Sequence, residues 1–247
     1  MSKGGGQGSI PMTQVAASRI LLVGGIMKLR YVFASLMVVM SAAVVANAQA
    51  ETPDCSNPSN PTIIALVKQG LELEAKRDVK GAIEASKKVL TIEPKNECAL
   101  NTIAGLYGVM GEFEQEIVWA KRAIEVNTKF AKAYINLGNG QGSLGNLREA
   151  EAAFNKAREF EPKNPLPLYS LGVLSEQQHK FQEAVDFYQK SIEIDPKFED
   201  GYFNLAAMYA NLKRFTEAKA TLKKLLELNP NVQDAKEMLR QIEREKP

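Results

Sequence analysis

Between Ile63 and Val232 the chain repeats itself every 34 residues, five times, without an insertion or a deletion. The units occupy residues 63–96, 97–130, 131–164, 165–198 and 199–232. Read down the columns, position 4 is Leu66, Leu100, Tyr134, Leu168 and Tyr202. Position 8 is always small: Gly70, Ala104, Gly138, Gly172 and Ala206. Position 20 is Ala82, Glu116, Ala150, Ala184 and Ala218, and position 32 is Pro94, Thr128, Pro162, Pro196 and Pro230. A fixed period of this length means one supersecondary unit stacked on copies of itself.

The spacing within a unit is helical. Positions 4, 7, 8 and 11 fall on one face of a first helix, and 20, 24, 27 and 28 on one face of a second. Small residues at 8 and 20 let the two helices approach closely, and proline at 32 ends the second because it cannot continue the hydrogen-bond ladder. Each helix is about 13 residues, marginal alone in water, so stacking has to supply the missing burial. The second unit departs from the pattern, with Glu116 for alanine and Thr128 for proline; its second helix is expected to be shifted or loosely packed. Asn60-Pro61 reads as a helix cap followed by proline at the first helical position. At the other end, residues 233–247 are expected to form a capping helix with an apolar stripe of Ala235, Leu239 and Ile242.

These columns resemble the tetratricopeptide repeat (TPR). The resemblance implies an all-α fold, a right-handed α-solenoid of five 34-residue helix-turn-helix repeats closed by the C-terminal capping helix. It also implies that positions 2, 5, 6, 9, 12 and 13 of the first helices line a concave groove that takes a protein or peptide segment. Carried over residue by residue, that groove holds Asn101, Lys132, Asn136, Asn139, Tyr169, Ser170, Phe203 and Asn204. Amides there can grip a peptide backbone without reading its sequence, and Tyr169 and Phe203 would be flat apolar platforms. Some members of the family clamp an acidic C-terminal tail through a lysine at position 5 of one repeat. Position 5 is never lysine in this chain, and no such clamp is expected.

The first fifty residues read as an address. From Met27, Lys28 and Arg30 precede a stretch of 16 uncharged residues from Tyr31 to Ala46, and Ala46-Asn47-Ala48 or Ala48-Gln49-Ala50 supplies small residues for cleavage. This is the layout of a secretory signal peptide over 27–50, too short for a membrane span of about 20 residues. Residues 1–26 read as an over-extended N-terminus and 51–62 as an arm before the first repeat. Export to the periplasm would place Cys55 and Cys98 in an oxidising compartment, where the two can pair. Of the net charge of +2, the first fifty residues carry +4, leaving −2 for the rest. A nearly neutral body gives no reason to expect nucleic acid as a partner, and no membrane attachment is expected after cleavage.

No constellation for chemistry appears. The single histidine, His179, falls at position 15 of the fourth repeat, in the turn between helices. One histidine and two distant cysteines lack the spacing of metal ligands, and no metal or cofactor is expected. Gly140-Gln-Gly142-Ser-Leu-Gly145 matches a dinucleotide fingerprint but lies inside a first helix, not between a strand and a helix; its glycines predict a locally soft helix instead. Trp119 is expected to pack rather than bind. The reading is therefore a non-enzymatic adaptor or scaffold for protein partners in the bacterial periplasm. The alternative is a periplasmic assembly chaperone for exported proteins.

Overall fold

The computed structural model describes residues 60–244. The expected signal peptide, the stretch before it and most of the arm, Cys55 included, lie outside the described residues. Those described form helices and turns only. The first helices of the repeats are α1 (Pro61–Ala75), α3 (Glu97–Val109), α5 (Ala131–Ser143), α7 (Leu166–Gln177) and α9 (Glu199–Asn211). The second helices are α2 (Val79–Ile92), α4 (Phe113–Val126), α6 (Leu147–Phe160), α8 (Phe181–Ile194) and α10 (Phe215–Leu228). The last described helix is α11 (Gln233–Arg244). All five second helices start and stop at 34-residue intervals, and so do the ends of all five first helices.

The sequence sets these boundaries locally. Asn60 caps α1, its side chain accepting from the Thr62 backbone N–H at 2.9 Å, with Pro61 as the first helical residue. Asp78 and Asn96 cap α2 and α3 in the same way. Every first helix ends on the same device, a left-handed residue at position 15: Arg77 (φ 60°), Gly111 (75°), Gly145 (81°), His179 (58°) and Lys213 (59°). A left-handed conformation costs a residue with a Cβ about 1–2 kcal/mol, partly offset by the extra freedom glycine brings to the unfolded chain. Replacing Arg77, His179 and Lys213 together by glycine should therefore raise stability by about 2 kcal/mol, read as a thermal midpoint several degrees higher. An unchanged or lower midpoint would refute that account of the turns.

The helices meet where the columns are small. Ala82, Ala150, Ala184 and Ala218 at position 20 are fully buried, and Ala150 meets Gly142 of the first helix in its repeat. In the third and fourth repeats the glycine at position 8 lies under the aromatic ring at position 24: Gly138 under Phe154, Gly172 under Tyr188. In the fifth, Ala206 and Leu222 fill the same two positions, both fully buried.

Two expectations need correction. The second helix of repeat 2 is not shifted: α4 keeps the 34-residue register, and Glu116 is buried inside it. The glycines of α5 lie within a continuous helix, whose expected softness hydrogen exchange would test, and two of them have packing reasons, Gly138 beneath Phe154 and Gly140 against Ile117 and Glu116. The buried stripe of α11 is Ala235, Met238 and Ile242, with Leu239 only half-buried. Residues 235, 238 and 242 share one face at i, i+3, i+7, and Leu239 sits one step around it. Trp119 packs as expected. It is half-buried against the Ile83–Ile103–Leu106 cluster, stacked on Tyr107 at 6.4 Å, with the Arg122 guanidinium 4.2 Å above its ring.

Candidate functional site

Successive first helices are tied to one another at positions 5 and 6, one repeat apart. Asn136, at position 6 of repeat 3, donates through Nδ2 to the Asn101 side-chain oxygen at 2.9 Å and to its backbone carbonyl at 3.2 Å. Asn204, at position 6 of repeat 5, donates to the Tyr169 hydroxyl at 2.8 Å. Both bonds span 35 residues, one repeat plus one position. The amides read as grips for a peptide thus also fix the register between neighbouring helices.

Around Tyr169 the bonds form a network. The Tyr169 ring packs 5.4 Å from Tyr188 and edge-on to Phe198 at 5.2 Å. The Tyr188 hydroxyl donates to Glu176 Oε2 at 3.0 Å. Gln189 Nε2 donates to the Tyr209 hydroxyl at 2.8 Å. Tyr169 and Asn204 are 1% and 6% exposed, so neither is an open platform in this conformation. Ser170 is buried as well, and Asn101, Lys132, Asn136, Asn139 and Phe203 are half-buried.

The lane these positions define disfavours charge. Burial lowers the Lys132 ammonium, against a smaller opposing pull from Glu161. Burial, then the Glu199 charge, raises the Asp200 carboxyl, and burial raises Glu74 at position 12 of repeat 1. The open part of the lane lies in the first repeat. Ile64, Val67 and Leu71 occupy its positions 2, 5 and 9 and are 51%, 46% and 45% exposed. They form one face of α1 at i, i+3, i+7, beside the buried Ile63 and Gly70. Sequence reading placed the groove on the later repeats and passed over this stripe, although the same column rule applied to repeat 1 picks out all three residues.

Among the described residues, no group of three or more His, Cys, Asp or Glu is placed to hold a metal. No described helix is long and apolar enough to cross a membrane. His179 lies exposed in its turn, edge-on to Phe181 at 5.8 Å. Cys98, at position 2 of repeat 2, is disulfide-bonded.

Two tetratricopeptide-repeat family models match the chain, over residues 135–197 and 176–243. Among characterised proteins, the small glutamine-rich tetratricopeptide repeat-containing protein 2 of Mycosarcoma maydis is 30% identical over 109 residues, which is 44% of this chain and 31% of that protein. The heat-shock protein cognate co-chaperone sgt12 of Aspergillus fumigatus is 28% identical over 120 residues, 47% of this chain and 35% of its own. The chain thus spans about a third of the length of these relatives. Among solved structures, MamA is 27% identical with a TM-score of 0.52, covering 68% of this chain and 92% of that one. A thermophilic TPR protein of Thermus thermophilus reaches a TM-score of 0.66 at 17% identity, over 74% of this chain and 99% of that one, a likeness of fold alone.

Proposed function

Because the chain belongs to the tetratricopeptide-repeat family, we propose that it is a non-enzymatic adaptor of the bacterial periplasm, holding a segment or helix of a protein partner along its first helices. The observation that carries this reading is the charge-poor lane, open at one end on Ile64, Val67 and Leu71. Exposed aliphatic side chains in a row at helical spacing suit the apolar face of a partner helix or an extended apolar segment. Function belongs to the site and not to the fold, so the test is made on the lane. Crosslinking and affinity capture from the periplasm should recover partners with the parent protein. Ile64→Ser, Val67→Ser and Leu71→Ser together should lose them while leaving the helical circular-dichroism spectrum intact. Equal recovery by parent and variant would reject the lane.

Export belongs to the same proposal. N-terminal sequencing of the secreted protein should begin just after Ala48 or Ala50. Cys55 is the only other cysteine of the chain, and the proposed bridge to Cys98 would clasp the arm to the second repeat. Free-thiol titration should then find no thiols, and two thiols would remove the bridge.

A second reading, an assembly chaperone for exported proteins, is favoured by the likeness to a heat-shock cognate co-chaperone. It predicts that the protein suppresses aggregation of an unfolded exported client, which an adaptor for folded partners does not.

A further inference from the structure

Four of the five repeats place a fully buried alanine at position 20, and the second places Glu116 there, equally buried. Neither carboxyl oxygen has a hydrogen-bond partner. The group faces Gly140 of α5. A side chain begun at Gly140 would meet Ile117 at 2.8 Å, the Phe113 carbonyl at 3.2 Å and Glu116 Oε2 at 3.3 Å. Gly140 is thus the position that makes room for the acid. The charged residues of the surrounding helices are Glu97 on α3, Glu114, Lys121, Arg122 and Glu125 on α4, and Lys132 on α5. None of them acts on the carboxyl, which burial alone pushes up to about 9.

We infer that the boundary between the second and third repeats is a proton-controlled hinge, closed while the Glu116 carboxyl keeps its proton and opened when that proton leaves. A carboxylate needs a donor, a counter-ion or water. Here the first two are missing, so it must have water, and water reaches it only if α4 and α5 part. The pin of the hinge is the Asn136–Asn101 bond, one turn before Gly140 on α5, which ties α5 to α3 and not to α4. The fourth and fifth repeats show the contrast: Glu176 is raised by burial too, but Tyr188 donates to it, and Asn204 and Tyr169 satisfy one another. The inference is independent of what the lane binds.

Hydrogen exchange of the full chain, followed by mass spectrometry from pH 5 to pH 8, tests it. Protection factors, corrected for the intrinsic rate, report the opening equilibrium. Over α4 and the middle of α5 they should fall about tenfold per pH unit, because opening there releases one proton. Over α9 and α10 they should change much less. In Glu116→Gln and in Glu116→Ala the extra pH dependence at α4 and α5 should vanish. Protection that follows pH equally in all repeats, or that keeps its slope in both variants, would overturn the hinge.

Discussion

Replacing Glu116 by alanine should make the protein more stable at pH 7 by about 3 kcal/mol, although it deletes buried atoms. The unfolded chain releases the Glu116 proton at about the ordinary 4.5, while the folded chain keeps it up to about 9. Between those values the native state binds a proton that the unfolded state has let go, so stability falls as pH rises, by about 1.4 kcal/mol per unit. The contribution is complete below pH 4.5 and lost above 9, and at pH 7 about 3 kcal/mol has gone. Losing the buried Cγ methylene costs about 0.8 kcal/mol. That is offset by removing a buried polar group without a partner, which costs about 1–3 kcal/mol while it remains. Urea unfolding of parent and variant at pH 5, 7 and 8.5 checks the sign and the size. The curves should converge at pH 5 and separate upward. Glu74, Glu176 and Asp200 are also raised by burial, so the variant keeps a weaker slope in the same direction. Parallel curves would show that Glu116 does not carry the dependence.

What the sequence made legible, and what it did not, divides along a physical line. Anything repeated every 34 residues could be read down a column. The helix boundaries, the small contacts at positions 8 and 20 and the turn holding His179 and Gly145 all belong to that class. So does the apolar stripe of Ile64, Val67 and Leu71, which the column rule contains but which only its exposure in repeat 1 makes conspicuous. Contacts between columns were not legible. Asn136 and Asn204 look like free grips in a list of groove positions. Whether a neighbour one repeat back reaches them depends on the offset between adjacent helices, which no single repeat encodes. For that reason Asn136→Ala or Asn204→Ala is a poor test of partner binding: each removes an inter-repeat hydrogen bond with a cost of about 1–2 kcal/mol. Glu116 was visible as a departure, but its outcome was not. A misfit acid can be expelled by shifting its helix or accommodated by giving up a side chain opposite, and the glycine at 140 decides for the second.

Gly138→Ala should cost about 3 kcal/mol, more than a methyl group would suggest. The added carbon would fall on the edge of the Phe154 ring, 2.6 Å from Cδ1, and overpacking a filled core typically costs about 1–3 kcal/mol. Phe154 has little room to yield, packed among Ala150, Leu168, Leu171 and Leu174 in the core between repeats 3 and 4. The fifth repeat shows how the conflict is resolved, since it carries Ala206 opposite Leu222 and buries both. Glycine with an aromatic and alanine with leucine are two solutions to one volume. Phe154→Leu alone should cost about 1.5 kcal/mol by leaving a void. Joined to Gly138→Ala it should cost no more than that, giving a coupling of about 3 kcal/mol across the pair. The fourth repeat is the stricter case. Tyr188 over Gly172 also donates to Glu176, so Gly172→Ala with Tyr188→Leu should recover less than the Gly138–Phe154 pair. A thermal or urea double-mutant cycle decides the matter. Additive losses at 138 and 154 would mean that the two columns are filled independently and that the close approach of the helices is not what selects glycine.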